Sequence, residues 1–346
     1  MNTILNQEVG ENFTALHGDC IEAMKDIPDN SIDFSVYSPP FSSLYIYSES
    51  VRDMGNVAGD EEFHATYLHA LTELFRITKP GRLTCIHVKD LVFYSNASEK
   101  GDRGLRDFTG DCIRTHIAAG WTYHSRTTVW RCPVREMTKA KPDGLLYKNF
   151  RLDAGRVRQG LPEYMIVFRK WTDDEGQAPP ICHLPGLWPE WAGEGAQFVG
   201  RRADHAGLPD YAALSDAQQK ADPRYLEALD IWQRWAGPVW MDTSETNVLN
   251  VRVARDEEAE KHLCPMPLDL IDRAIRLWSN PGDVVLSPFM GIGSEGWGAL
   301  RAGRKFIGVE LKDSYFRTAV KNLRQAEADS SIGSLFDVAE AEEAAE

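Results

Sequence analysis

The stretch Ser287-Pro288-Phe289-Met290-Gly291-Ile292-Gly293-Ser294-Glu295-Gly296 constrains the fold more than any other. An apolar run, Asp283 to Leu286, precedes it and reads as a strand, and Ser294 to Ala302 reads as a helix. Glycines let the backbone turn sharply and approach a ligand closely, and the first turn of the following helix has unpaired N–H groups. A second strand, Lys305 to Val309, ends in Glu310, about 17 residues after Gly293. A carboxylate at that place suits a bidentate grip on ribose hydroxyls. Strand, glycine turn, helix and carboxylate together predict a nucleotide-type cofactor. Taken alone, G-x-G-x-x-G also describes dinucleotide binding or a structural glycine turn.

The same alternation runs through most of the chain. Ile32 to Tyr37 is a short apolar run expected to be a buried strand, and Glu61 to Thr78 carries Phe63, Tyr67, Leu71, Leu74 and Phe75 at helical spacing. Lys79-Pro80-Gly81 should stop that helix, with Arg82 to Val88 as the next strand. Phe108 to Ala119 reads as a helix, and Thr122 to Trp130 and Tyr164 to Phe168 read as strands. Pro267 to Ser279 and Ser314 to Leu323 read as helices. Strands alternating with helices predict an α/β fold around a parallel sheet. Thr172 to about Asn250 breaks the pattern. It is rich in Pro, Gly and Trp, includes Trp188, Trp191, Trp232, Trp235 and Trp240, and offers one helix near Pro223 to Trp235. Tryptophans in such a segment belong more often to a core than to a stacking surface.

Ser38-Pro39-Pro40-Phe41 follows directly on the first of these strands. Consecutive prolines fix φ and remove backbone donors, leaving rigid carbonyls able to accept hydrogen bonds. The exocyclic amino group of a nucleobase is a poor nucleophile because its lone pair is delocalised into the ring. The Ser38 hydroxyl and the Pro39 carbonyl could accept its two hydrogens and release that lone pair, while Phe41 stacks on the base. A base within a duplex cannot reach such a loop, so this reading requires flipping. A proline-rich strand terminator is the plainer alternative.

The formal net charge of −14 argues at first against nucleic acid. Half of that excess lies in the tail 326–346, where Glu327, Asp329, Asp337, Glu340, Glu342, Glu343 and Glu346 occur without Lys or Arg, a composition that reads as disordered. Between Arg126 and Lys170, eleven basic residues face four acidic ones. Such a stripe suits a phosphate backbone or a solvated surface. Lys139, Lys141, Lys148, Arg151 and Arg156 in this stripe, with Arg135 just before them and Arg201 and Arg202 beyond, are the candidate DNA contacts.

The tetrapeptide and the glycine loop together resemble the DNA amino-methyltransferase family. There [DNS]-P-P-[YFW] is the catalytic loop and F-x-G-x-G, here Phe289 to Gly293, is the S-adenosylmethionine loop. Here the catalytic loop comes first and about 250 residues separate the two. That order resembles the circularly permuted β group. Leu16-His17-Gly18-Asp19-Cys20, His262-Leu263-Cys264-Pro265-Met266-Pro267 and Pro162 to Phe168 resemble further family segments.

The resemblance implies a Rossmann-like methyltransferase sheet with permuted motif order and an inserted target-recognition region. It divides the chain into a catalytic half (1–171), the recognition insertion (172–254), a cofactor-binding half of the same domain (255–325) and an acidic disordered tail (326–346). It implies S-adenosyl-L-methionine as cofactor, with Asp19 at the adenine, His262 and Pro265 on the methionine side, and Cys20, Ser38, Ser287, Pro288, Phe289, Gly291, Gly293, Ser294, Glu310 and Leu311 lining the site. Ser38, Pro39, Pro40 and Phe41 are then catalytic, the substrate is double-stranded DNA, and a homodimer is expected. Ser287 departs from the family's frequent Asp and puts that residue's usual cofactor contact in question. Ser38 leans toward cytosine rather than adenine without deciding between them.

Other readings meet specific obstacles. Methylation of a cytosine ring carbon needs a cysteine nucleophile, usually after proline, and the chain has no Pro-Cys pair. The six cysteines and nine histidines lack metal-ligand spacing, so no metal is expected, and scattered cysteines fit a reducing cytoplasm. No run approaches the roughly 20 apolar residues that span a bilayer. A nucleotide-dependent oxidoreductase leaves the tetrapeptide without a role. An RNA or protein methyltransferase shares the cofactor site and stays open, and the intact tetrapeptide argues against an inactive DNA-binding relative.

Overall fold

The computed structural model describes residues 4–41, 54, 59–93, 95, 100–139, 147–157, 160–173, 176–181, 209, 213–223, 225, 232–249 and 265–343, with the side chains of 137–139, 156 and 331–343 outside that description. In chain order the elements are β1 (Ile4–Val9), β2 (Phe13–Gly18), α1 (Cys20–Lys25), β3 (Ile32–Tyr37), α2 (Asp60–Ile77), β4 (Thr78–Val88), β5 (Leu91–Phe93), β6 (Gly104–Arg106), α3 (Phe108–Ala118), β7 (Thr122–Val129), α4 (Pro133–Lys139) and α5 (Tyr147–Leu152). They continue with β8 (Glu163–Arg169), α6 (Asp216–Ala221), β9 (Val239–Trp240), α7 (Leu268–Trp278), β10 (Val284–Ser287), α8 (Ser294–Arg301), β11 (Lys305–Glu310) and α9 (Asp313–Glu343).

Nine strands of the described residues form one sheet in the order β1-β2-β11-β10-β3-β4-β8-β7-β9. Its centre, β2, β11, β10, β3 and β4, is parallel. Strands buried on both faces read as continuous apolar runs, and β3 is buried along its whole length. Alternate residues feed two cores. Phe34, Val36, Leu83, Cys85 and Val285 pack with α7, α8 and α9, while Tyr37, Ile86, Ile166, Leu286 and Val309 pack with α1, α2 and α3. The result is helices on both faces of a mostly parallel sheet.

The chain runs outward in opposite directions from β10 and β3. From β10 it crosses through α8 to β11 on one side, and from β3 through α2 to β4 on the other. Ligands bind outside the carboxyl ends of the strands at such a switch point. Asp33 fixes the junction. Its Oδ1 lies 2.6 Å from Lys79 Nζ and 3.5 Å from the buried Arg82 guanidinium, and its Oδ2 accepts from the Val284 N–H at 2.9 Å. One buried carboxylate thus links β3, β4 and β10. Arg82 also donates to Asp283 Oδ2 at 3.1 Å.

Three features differ from the sequence reading. β4 begins at Thr78, not Arg82, because Thr78 already pairs with Ile32, and Lys79-Pro80-Gly81 sits in the register shift before Leu83 pairs with Phe34. A proline is tolerated in a strand at such an irregularity. The segment between 172 and 254 contributes β9, which pairs parallel with β7. Trp235 and Trp240 are buried there, with the Arg273 guanidinium 5.4 and 5.3 Å from their rings and hydrogen-bonded to Asp242. The stretch from 326 that reads as disordered continues α9 through Glu343. Ala and Glu are strong helix formers. The helix also stays anchored past 326, where Ala326 is fully buried and Glu327 accepts from the Asn12 N–H at 2.6 Å. Among the described residues no helix is long and apolar enough to cross a membrane.

Two outcomes follow for stability. Asp33→Ala removes one of the two carboxylates facing the buried Arg82 and the acceptor of the Val284 N–H, and should destabilise the fold by about 2 kcal/mol or more, read as a lower urea midpoint at unchanged slope. Glu295, buried at the start of α8, has its carboxyl pushed up to about 8, by burial first and the Glu310 carboxylate second. Its folded value lies above the ordinary 4.5, so the native state binds the extra proton and stability falls as pH rises through that window. Glu295→Gln should therefore gain stability relative to the parent between pH 5 and 9, and thermal melts showing a constant difference would contradict this.

Candidate functional site

The site gathers at the carboxyl ends of the parallel strands. β2 ends at Asp19, β3 at Ser38-Pro39-Pro40-Phe41, β10 at Pro288 to Gly293 and β11 at Glu310. β3 and β10 are neighbours, so the two loops lie side by side although about 250 residues separate them in sequence.

The glycine loop is built for close approach. Gly291 and Gly293 have φ of +53° and +86°, and a Cβ at Gly291 would meet nothing within 4 Å. At Gly293 a Cβ would lie 3.2 Å from the Ala319 backbone, so that glycine lets α9 pack against the loop. The Met290 N–H donates to Val309 O at 2.9 Å, tying the loop to β11. The Glu310 carboxylate accepts from the Gly291 N–H at 2.9 Å and the Lys312 N–H at 2.8 Å. The Ser287 and Ser294 hydroxyls flanking this loop are buried with no hydrogen-bond partner. Unpaired buried donors beside an open glycine cradle fit a polar ligand, and the residues present suit an adenosine-type cofactor.

The other expected cofactor residues hold definite places. Asp19 caps α1, with Oδ1 accepting from the Ile21 and Glu22 N–H groups at 3.0 Å each. Cys20 is buried, and burial pushes its thiol well above the usual range. Leu311 O is bonded to His17 Nε2 at 3.0 Å, and Pro265 precedes α7 half-buried. Pro288 is buried, and the half-buried Phe289 packs 5.7 Å from the Tyr37 ring. His262 lies outside the described residues.

In the tetrapeptide, Pro39 is buried, and Ser38, Pro40 and Phe41 are half-buried. The Phe41 ring lies 6.1 Å from Phe108. The structure adds a group that sequence reasoning missed. Ser38 Oγ is 3.2 Å from His87 Nδ1, and His87 Nε2 is 2.7 Å from Glu163 Oε2. The buried Arg131 guanidinium donates to the same oxygen, and Lys89 Nζ is 4.0 Å from Glu163 Oε1. Burial alone would raise the Glu163 carboxyl, but His87 and Arg131 outweigh it and hold it well below the carboxylate range. The sequence signal was only positional, since His87 and Glu163 fall at strand ends on this edge. Cys85 and Cys112 are buried with thiols raised by burial, so neither is a ready nucleophile. Among the described residues no group of three His, Cys, Asp or Glu side chains could hold a metal.

The basic candidates fall into two sets. β7 ends and β8 begins at this same edge, so the connection between them, described at 130–139, 147–157 and 160–162, leaves and re-enters the sheet there. Arg135, Lys148 and Arg151 are exposed there, with Tyr147, Phe150 and Leu152. Arg151 stands 5.7 Å over the Tyr147 ring, and Arg135 is 3.9 Å from Glu245. Lys139 lies on α4 and Arg156 on a short 3₁₀ turn, with both side chains outside the description. Lys141, Arg201 and Arg202 lie outside the described residues.

Known proteins resemble this chain in sequence and in fold. The chain is 42% identical over 315 residues to the type II methyltransferase M.HinfI of Haemophilus influenzae, covering 90% of this chain and 68% of that protein. It is 24% identical over 328 residues to the type II methyltransferase M.BglI of Bacillus subtilis, covering 88% and 84%. Among solved structures, a putative DNA modification methylase of Thermus thermophilus complexed with S-adenosyl-L-methionine superposes with a TM-score of 0.56 at 20% identity, covering 92% of this chain and 94% of that one. The cytosine-N4-specific PvuII DNA methyltransferase superposes at 0.51 and 16% identity, covering 92% and 89%. The family model for N6/N4 DNA methylases matches residues 32–321. The chain therefore belongs to the N6/N4 DNA methylase family, whose members use S-adenosylmethionine to methylate the exocyclic amino group of adenine or cytosine in DNA.

Proposed function

We propose that Ser38, Pro39, Pro40 and Phe41 hold a flipped adenine or cytosine while the Ser287–Ser294 loop and Glu310 hold S-adenosylmethionine beside it. One observation carries this reading: the two loops follow adjacent strands at the switch point of the sheet. S-adenosylmethionine supplies an electrophilic methyl group when bound. The chain's own residues do the rest. The Pro39 carbonyl and the Ser38 hydroxyl accept the amino hydrogens and favour a pyramidal nitrogen with its lone pair free. Phe41, steadied against Phe108, stacks on the base. Holding donor and acceptor in one geometry turns an encounter into a local event, which lowers the barrier without a covalent intermediate. Asp19 and Pro265 belong to the same cofactor pocket in this reading.

A base can enter such a site only when out of the stack, so the duplex must meet the rim where Arg135, Lys148 and Arg151 stand. Exposed Tyr147 and Phe150 between these cations suit a nucleic-acid surface better than a purely solvated one. The segment between 172 and 254 is the proposed reader of sequence. Pairing with a cleavage enzyme, as the names of the type II relatives suggest, belongs to the same proposal.

The division of labour is testable. Ser38→Ala, Pro39→Ala and Phe41→Ala should each lower kcat by about tenfold or more while calorimetric binding of S-adenosylmethionine changes less than about threefold. Gly291→Arg should abolish cofactor binding while leaving the circular dichroism spectrum intact. Equal loss of binding and turnover in all four variants would defeat the assignment.

A further inference from the structure

We propose that His87, oriented by Glu163 and Arg131, is a positioning residue that makes Ser38 a hydrogen-bond acceptor and takes the amino proton through it. The proposal rests on the reading of Ser38 given above. It starts from three contacts in series: Ser38 Oγ to His87 Nδ1 at 3.2 Å, His87 Nε2 to Glu163 Oε2 at 2.7 Å, and Arg131 on the same Glu163 oxygen. His87 and Glu163 are each only 12% exposed at their side chains, and Arg131 is 6% exposed.

The tautomer follows from the partners. Glu163 is held ionised, so it accepts only. A neutral His87 must therefore carry its hydrogen on Nε2, since two lone pairs would otherwise face each other at 2.7 Å. Nδ1 is then an acceptor, and the Ser38 O–H donates to it. With its hydrogen committed inward, Ser38 Oγ turns its lone pairs outward, the orientation an amino N–H needs. Arg131 balances the Glu163 charge, so the carboxylate can orient the imidazole without requiring it to be cationic. Lys89 Nζ lies 4.0 Å from the other oxygen and adds a second positive charge beside the carboxylate.

The same chain gives the amino proton a route. When the nitrogen gains its N–C bond, the C–S bond breaks with its electron pair left on sulfur, and the nitrogen is cationic and acidic. Its proton passes to Ser38 Oγ as the Ser38 hydrogen passes to His87 Nδ1. An imidazolium results, facing the Glu163 carboxylate, and returns its proton to solvent before the next turnover. No other oxidant, base or metal is needed for the balance. Sequence reasoning treated these residues as a strand histidine, a strand glutamate and one charge in a basic stripe, and the fold brings them together at β4, β8 and the end of β7.

The decisive experiment combines kinetics with ¹⁵N NMR. In the unaltered protein the His87 ring, identified as the histidine signal that shifts in Glu163→Gln, should show a protonated Nε2 and a bare Nδ1. An Nδ1–H tautomer overturns the proposal. His87→Ala should lower kcat by about 100-fold or more with the S-adenosylmethionine Kd within about threefold. Added imidazole should restore part of the rate, whereas pyrazole, similar in shape but far less basic, should not. Equal rescue by both would mean that His87 only fills space. Glu163→Gln keeps an oxygen for Arg131 and His87 but loses the charge, and should lower kcat without changing KM. Full activity in both His87→Ala and Glu163→Gln, with Ser38→Ala impaired, would remove the relay and leave the role of Ser38. Full activity in Ser38→Ala would instead remove the reading of Ser38 itself.

Discussion

The site depends on β3 and β10 being neighbours. About 250 residues lie between their loops, yet the backbone ladder and the Asp33 carboxylate hold the two strands in one register. Asp33 is buried against a lysine, a buried arginine and a backbone N–H, each from a neighbouring strand or its entry. Such a group adds little net stability over an apolar substitute but is costly to break, which suits a junction that must not slip. A one-residue slip of β10 would carry the glycine loop away from Ser38 and turn its side chains to the other face.

From that junction the two halves serve different needs. On the cofactor side, backbone N–H groups and glycines do most of the work: Gly291, Met290 and Lys312 pin the loop and the Glu310 carboxylate, leaving open space where side chains would crowd a ligand. On the proposed base side, two prolines would supply stiffness, and the contacts from Ser38 to Arg131 would supply orientation. Preorganised groups of this kind cost no rearrangement as charge develops on the amino nitrogen. The rim between β7 and β8 carries exposed cations and aromatic rings, the proposed approach for a duplex.

Much of this was legible in the sequence because short-range rules sufficed. The glycine loop, the tetrapeptide and Glu310 each sit where a strand ends, and apolar runs mark β3, β10 and β11 without ambiguity. What was not legible depended on pairing across the sheet. β4 extends back through Pro80 because Ile32 offers Thr78 a partner, and β9 exists because β7 has an open edge. Helix α9 runs past Ala326 because Asn12 and the sheet face hold it there, while composition alone reads as disorder. The His87–Glu163–Arg131 group was invisible for the same reason, since 44 residues separate Arg131 from His87 and a further 32 separate Glu163 from Arg131.

The central claim is that this chain places a methyl group on the exocyclic amino nitrogen of a DNA base. Incubation with S-adenosylmethionine and unmethylated genomic DNA, followed by mass spectrometry of the digested nucleosides, tests it directly. The account predicts N6-methyladenine or N4-methylcytosine, formed by the parent protein and lost in Ser38→Ala. Methylation confined to a cytosine ring carbon, or no modified nucleoside from protein that still binds the cofactor, would contradict it.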